Sequence, residues 1–280
     1  MLRAQVKFKS NFSRIIFSII PSLRGNWLLA SPLFRFLPNK ASITLINNNT
    51  SIQIPIKLSQ PSQFSQLKTL KLDLGTATVI NDLLRNGDTF IDVGANWGYF
   101  SWVASVKNCS VIAIEPDDRE CALLEKIPNV QVFNKAVDME ENKTISFSKP
   151  LIHQHLNADG KFALRHHKVL TTTIDSMRKL TNKPFSLIKI DTDGMDFAVL
   201  RGSVKTIETD KPNVIVEVSE ESVTKQFGYK PSDIYDFMFK YGYRYAYCIN
   251  DDAGQEKIIP VPNGQFLIKN ILFTHIPYTA

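Results

Sequence analysis

The chain has 280 residues, 44% hydrophobic and 21% charged, which allows a sizeable core and excludes wholesale disorder. Its three cysteines, Cys109, Cys121 and Cys248, are scattered and form no CxxC pair, which argues against a disulfide framework or a zinc site and fits a reducing, cytoplasmic compartment. The net charge of +6 is uneven: ten basic residues and no acidic one precede Asp73, whereas the other 23 basic residues face 27 acidic ones.

Residues 1–72 therefore read as a basic N-terminal extension. Within it "SRIIFSIIPSL" and "NWLLASPLFRFL" are apolar runs broken by arginine and proline, well short of the roughly 20 residues of a membrane span. Cations interleaved with Ile, Phe, Trp and Leu give residues 1–40 the character of an arm that lies on an anionic membrane or packs on the domain. Residues 41–58 alternate apolar and polar around Asn47-Asn48-Asn49, a hairpin signal.

Residues 73–280 read as one α/β domain. "TATVINDLLRNG" is helical and closed by Gly87; "TFIDV" is a strand, Tyr99–Lys107 a helix, "SVIAIE" a strand, Asp118–Ile127 a helix and "VQVFNKAV" a strand. Residues 139–172 are polar, hold four of the five histidines and break the rhythm. It resumes with "FSLIKID" (strand), Met195–Lys205 (helix), "NVIVEV" (strand) and Ser232–Tyr241 (helix, with Pro231 before it and Gly242 after). "YRYAYCI" and "GQFLIKNILFTH" read as a late antiparallel pair. The expected architecture is a seven-stranded, mostly parallel sheet with helices on both faces.

"FIDVGANWGYF", residues 90–100, carries the first functional signal. A strand that runs through Asp92 into Gly94, Asn96 and Gly98 offers bare backbone where a helix begins, the geometry of a ligand pressed against the main chain. Glu115, at the end of the next strand, stands where a carboxylate accepts hydrogen bonds from ribose hydroxyls. The spacing is GxxxG and not the GxGxxG of a dinucleotide site, and Asp92 would repel a pyrophosphate but attract an ammonium. S-adenosylmethionine fits better than a dinucleotide.

From these residues the chain resembles the FkbM family of S-adenosylmethionine-dependent methyltransferases. The likeness runs through "NGDTFIDVGANWGYFS", "VIAIEPDDR", "VQVFNKAVDMEENKTISF", "TTTIDSM", "LIKIDTDGMDFAVLRGS" and "PNVIVEVSE", and so spans roughly residues 73–250. Asp193 and Asp196 stand where the family usually carries glutamate. The resemblance implies a Rossmann-like class I methyltransferase acting on a hydroxyl of a saccharide or natural-product scaffold. Carried over by position, it implies that Asp92, Gly94, Asn96 and Gly98 line the methionine moiety, that Glu115 holds the ribose, and that Asn134, Ala136 and Val137 border the adenine.

In a parallel sheet the site lies beyond the carboxyl ends of the strands, where strand order reverses. That places Asp191, which ends "SLIKID", as the candidate catalytic residue, with a helix cap as its bland role. Asp191 and Asp193 are also candidate magnesium ligands. Glu217 and the histidines His153 and His155 are candidate substrate contacts. Nucleic-acid methylation is disfavoured, because the fourth strand lacks the N/D-P-P-Y/F turn that holds a flipped base and the domain has no basic patch interleaved with aromatics. A non-catalytic module on the same fold is disfavoured by the intact Asp92, Gly94, Gly98, Glu115 and Asp191.

Overall fold

The computed structural model describes residues 2–8, 41–47, 50–56, 73–150, 164–250, 258–262 and 264–279. His153 and His155 lie outside them, as does most of the expected membrane arm, residues 9–40. The chain divides into two compact units, Met1–Leu72 with Phe147–His167, and Asp73–Ser146 with Lys168–Ala280.

In the first unit β1 (Leu2–Phe8), β2 (Ala41–Asn47) and β3 (Thr50–Ile56) form an antiparallel sheet in that order. Asn47 pairs with Thr50, in keeping with the hairpin expected around Asn47-Asn48-Asn49.

The second unit begins with α1 (Leu74–Leu83), then β4 (Thr89–Val93), α2 (Tyr99–Ser105), β5 (Ser110–Ile114), α3 (Asp118–Leu124) and β6 (Val130–Phe133). Next come β7 (Ala136–Val137), β8 (Thr144–Pro150) and β9 (Leu164–Thr172), of which residues 147–150 and 164–167 fall in the first unit, and α4 (Ile174–Arg178), and then β10 (Leu187–Ile190), α5 (Asp196–Arg201), α6 (Val204–Asp210) and β11 (Asn213–Glu217). The chain ends through α7 (Glu221–Thr224), α8 (Pro231–Lys240), β12 (Tyr245–Ile249), β13 (Ile258–Pro260) and β14 (Asn270–Thr274). Local chemistry sets the helix starts. The side chain of Asp117 accepts from Arg119 N at α3, Thr173 Oγ1 accepts from Ser176 N at α4, and Pro231 opens α8.

The main sheet runs β13-β12-β14-β11-β10-β4-β5-β6, with β11, β10, β4, β5 and β6 parallel and β14 antiparallel to both its neighbours. It has eight strands where seven were expected. The eighth, β13, ends in Pro260 on the sheet's edge, the one place where a missing N–H is harmless. The late pair is present, but β14 inserts between β11 and β12. "VQVFNKAV" splits at Asn134, and β7 leaves the main sheet to pair in parallel with the end of β9, Ala136 opposite Thr171. The polar middle thus supplies strands of its own. The expected helix Met195–Lys205 divides into α5 and α6 at Gly202-Ser203.

Alternation along the strands separates two cores. Ile91, Val93, Ile188, Ile190, Val214 and Val216 pack with Val199 and Leu200 of α5, Ile207 of α6 and Ile234 and Met238 of α8. Full burial of each such side chain contributes about 1.5–3 kcal/mol. The opposite face, which carries Phe90, Asp92 and Lys189, meets α2 through Phe100 and Ser101. Strand order reverses between β4 and β10, so the crevice at their carboxyl ends is the expected ligand site. Among the described residues no helix is long and apolar enough to cross a membrane.

Candidate active site

At the switch point the two strands run in register, Asp92 opposite Lys189 and Val93 opposite Ile190. Asp92 and Lys189 therefore project from the same face side by side, both out of contact with water. Ser101 donates to Asp92 Oδ2 at 2.7 Å, while Asp92 Oδ1 has no hydrogen-bond partner. Lys189 Nζ donates to Asp191 Oδ2 at 2.8 Å and sits 4.5 Å from the centre of the Phe100 ring. Burial alone would push the ammonium down, but Asp191 and Asp92 outweigh it and hold Lys189 charged. Burial also raises Asp92, and Lys189 and Ser101 offset this only in part.

Asp92 is fully buried beneath the turn, with its Oδ1 still an acceptor without a donor. The glycines are closely packed as well. Gly94 has φ +75°, and a Cβ there would lie 1.8 Å from Asp191 O, so its bare face is filled by the β10 backbone. Gly98 has φ +93°, and its Cβ would meet Ile127 Cδ1 at 2.5 Å and Leu124 Cδ2 at 2.7 Å. Both glycines permit strand and helix packing, which leaves the same GxxxG trace in a sequence as a ligand would.

Glu115 is buried and ties the two loops of the crevice together. Its Oε2 accepts from Asn96 N and its Oε1 from Asp117 N, each at 2.9 Å. Asn134 Nδ2 donates to Glu115 O at 3.1 Å and to Pro116 O at 2.9 Å, closing β6 onto the end of β5. Ala136 and Val137 are buried in β7 beyond that turn.

The loop after β10 is built by Asp196. This carboxylate is fully buried and accepts from Thr192 N and Oγ1 at 2.9 Å and from Gly194 N at 3.1 Å. Three such bonds, each about 1.5–3 kcal/mol for a charged acceptor, hold the turn that carries Asp191 and Asp193. Asp196, and not Asp191, therefore anchors the turn before α5. The carboxylate oxygens of Asp191, Asp193 and Glu217 come within 4.8 Å of one another at the rim.

Their environments drive these groups apart. Burial raises Asp191, but the Lys189 charge and hydrogen bonds from Lys189 and Glu217 outweigh it and hold Asp191 below the usual range. Burial first, then the Asp191 and Asp196 charges, push Glu217 up to about 8. Asp191 is thus the ionised member and Glu217 holds a proton at neutral pH. A cavity of about 500 Å³ lies elsewhere, at the amino ends of the strands beside Thr89, Ser110 and Val130, and has no part in this arrangement.

Sequence reasoning gave no role to Lys189, Ser101 or Asp196. Lys189 had a legible signal: one cation inside "SLIKID", two residues from Asp191, has to meet carboxylates if the strand is central.

Residues 92–245, more than half of the chain, match the methyltransferase FkbM domain. The chain belongs to the FkbM methyltransferase family. It thus carries an S-adenosylmethionine-dependent methyltransferase domain, whose first and fourth sheet strands meet at the switch point above. Among solved structures it is similar to the FkbM methyltransferase of Methylobacillus flagellatus KT, at 16% identity and a TM-score of 0.43 over 69% of this chain and 45% of that one. This FkbM chain therefore spans less than half the length of that protein. It is also similar to a TehB-like SAM-dependent methyltransferase of Corynebacterium glutamicum ATCC 13032 Kitasato, at 13% identity and a TM-score of 0.45 over 76% and 95% of the two chains. A third similar structure is the magnesium protoporphyrin IX methyltransferase of Synechocystis PCC 6803 with bound SAM, at 9% identity and a TM-score of 0.42 over 75% and 82%. No curated protein matches the sequence.

Proposed function

We propose that the protein transfers a methyl group from S-adenosylmethionine to a hydroxyl of a saccharide or another small hydroxylated acceptor held over Asp191 and Glu217. The observation that carries this reading is the carboxylate pair at the switch point, Asp191 bound at 2.8 Å by the buried Lys189 and Glu217 within 4.8 Å of it.

The residues present suit the cofactor. Asp92 Oδ1 is a buried acceptor without a donor beside Gly94, and Glu115 accepts amides from both loops where a nucleoside would lie. Asn96, Glu115 and Asn134 would hold it, with Asp92 supplying negative charge beneath. When bound, S-adenosylmethionine supplies a methyl group on a positively charged sulfur, and with it a good leaving group.

An alcohol gives up its proton reluctantly, so a base must receive it. Asp191 alone, pinned by Lys189, is a weak base. The pair Asp191–Glu217 already shares one proton at neutral pH and accepts the acceptor's proton once that one has left, around pH 8. The acceptor's O–H bond then breaks toward Glu217 while Asp191 orients the hydroxyl.

A second reading has an observation of its own. Asp191, Asp193 and Glu217 offer three carboxylate oxygens within 4.8 Å of one another, a donor set suited to a magnesium ion. One experiment separates the two: methyl transfer from labelled S-adenosylmethionine to a panel of glycans and small alcohols, read by mass spectrometry with and without EDTA. Turnover indifferent to EDTA supports the proton-sharing pair, and loss restored by magnesium supports the ion. Asp191→Asn should lower turnover by about 10²–10⁴ while leaving cofactor affinity intact. A panel in which no hydroxyl gains a methyl group overturns the proposal.

A further inference from the structure

We propose that Phe227 is the platform on which the methyl acceptor rests, and that the site selects an alcohol carried on a saturated ring with an apolar face. This rests on the O-methyl-transfer reading above.

Phe227 ends a single 3-10 turn, Lys225–Phe227, that follows α7 directly. It is 45% exposed, although Thr224 just before the turn and Tyr229 two residues after it are buried. Thr224 is fully buried, and Tyr229 is buried against Phe197 at 5.3 Å between ring centres. The exposure of Phe227 is therefore not that of a loosely held loop.

Its position gives the exposure a meaning. A Cβ on Gly194 would lie 2.4 Å from Phe227 Cε2 and 2.8 Å from Cδ2, so the ring lies directly on the bare backbone of Gly194. Gly194 follows Asp193 and precedes Asp196, whose bonds to Thr192 and Gly194 fix the turn. A half-exposed aromatic ring thus adjoins the turn that presents Asp191 and Asp193, with Glu217 within reach of both.

The two surfaces ask for different things from one ligand. The arene offers dispersion contact and an electron-rich face to C–H bonds, and the carboxylates accept hydrogen bonds from hydroxyls. A pyranose or other polyhydroxylated saturated ring has both, C–H bonds on one face and hydroxyls around its edge. A linear polyol lacks the face. A phosphorylated acceptor would be repelled by the ionised Asp191.

The test uses the full chain and the methyl pyranosides of gluco, galacto and manno configuration, with sorbitol as the linear control. Binding is read by saturation transfer from protein to sugar protons, and transfer by mass spectrometry. Phe227→Ala should raise KM for a pyranoside about 10-fold, leave kcat within about 2-fold and leave S-adenosylmethionine affinity unchanged. Phe227→Trp should restore KM, and sorbitol should be turned over equally poorly by all three forms. Pyranoside binding that depends on Phe227 with no methyl transfer to any hydroxyl would sink the transfer reading and leave the platform standing. Transfer to pyranosides with the same KM in Phe227→Ala and wild type overturns the platform alone. Absence of pyranoside binding to the wild type overturns it as well.

Discussion

Lys189→Met is the sharpest test of the electrostatics at the switch point. Methionine nearly matches lysine in volume, so packing against Phe100 is largely kept while the charge is lost. Asp191 can be hydrated, since its side chain is 34% exposed. Asp92 cannot: it is fully buried, and its remaining donor is Ser101. Breaking a buried ion pair on one side typically costs about 3–5 kcal/mol. Asp92 has one escape, to take up a proton. From an unfolded value of about 3.9, that costs about 1.4 kcal/mol per pH unit, or about 4 kcal/mol at pH 7. The two figures agree, so a loss of about 4 kcal/mol at pH 7 is expected.

The sign of the pH dependence follows. Asp92 is already raised in the folded state, and more so in the variant, so the native form binds the extra proton. Its stability is retained at low pH and lost as pH rises from the ordinary carboxylate value through the folded one. Urea unfolding of Lys189→Met should therefore show a deficit that shrinks to about 1.5 kcal/mol at pH 5. Asp92→Asn in the same background should recover most of the loss at pH 7 and flatten the pH dependence. If the double variant is no more stable than Lys189→Met, or the deficit is the same at pH 5 and pH 7, Asp92 does not depend on Lys189 and the reasoning fails.

Gly98→Val should destabilise the domain by about 2–4 kcal/mol, through overpacking against Leu124 and Ile127 and a left-handed φ, which thermal melting would register before any binding assay. Glu115→Ala should weaken S-adenosylmethionine binding by about 1–3 kcal/mol in calorimetry, because the loops carrying Asn96 and Asp117 lose their shared acceptor. Glu217 is raised to about 8, so kcat/KM should climb as pH rises through 8, and Glu217→Gln should abolish that limb. Liposome co-sedimentation should require anionic lipid, fall with salt and be lost when residues 1–40 are removed; binding unchanged by the deletion would assign the basic arm to packing.

The βαβ alternation was legible because parallel strands buried on both faces read as apolar runs, as "TFIDV", "SVIAI" and "NVIVE" do. The switch point followed from strand order, and with it the approach of Asp191 to β4. β13 was not legible, since "IIP" is too short and ends in proline. What approaches Gly94 and Gly98 is something no spacing resolves. A glycine records that something comes close, not what it is, and here strand β10 and the end of α3 come close. Glu217 lies at the rim with Asp191 and Asp193, but its proton depends on burial and on the charges around it, and that is a property of register and not of order along the chain.

The acids of the site divide by burial into two sets. Asp92, Glu115 and Asp196 are enclosed and engaged by local donors, Ser101, the amides of Asn96 and Asp117, and the Thr192–Gly194 turn. A buried carboxylate so engaged rigidifies a loop but has little freedom to receive a proton from a substrate. Asp191, Asp193 and Glu217 stand together at the rim, where the proposed acceptor would meet them. Lys189 joins the sets, since it lies opposite Asp92 in the sheet and 2.8 Å from Asp191. One buried cation therefore both neutralises the strand turn and makes Asp191 the ionised neighbour that leaves Glu217 its proton. The architecture of the turn and the acid–base state of the rim are set by the same charge, so a substitution that disturbs one must move the other.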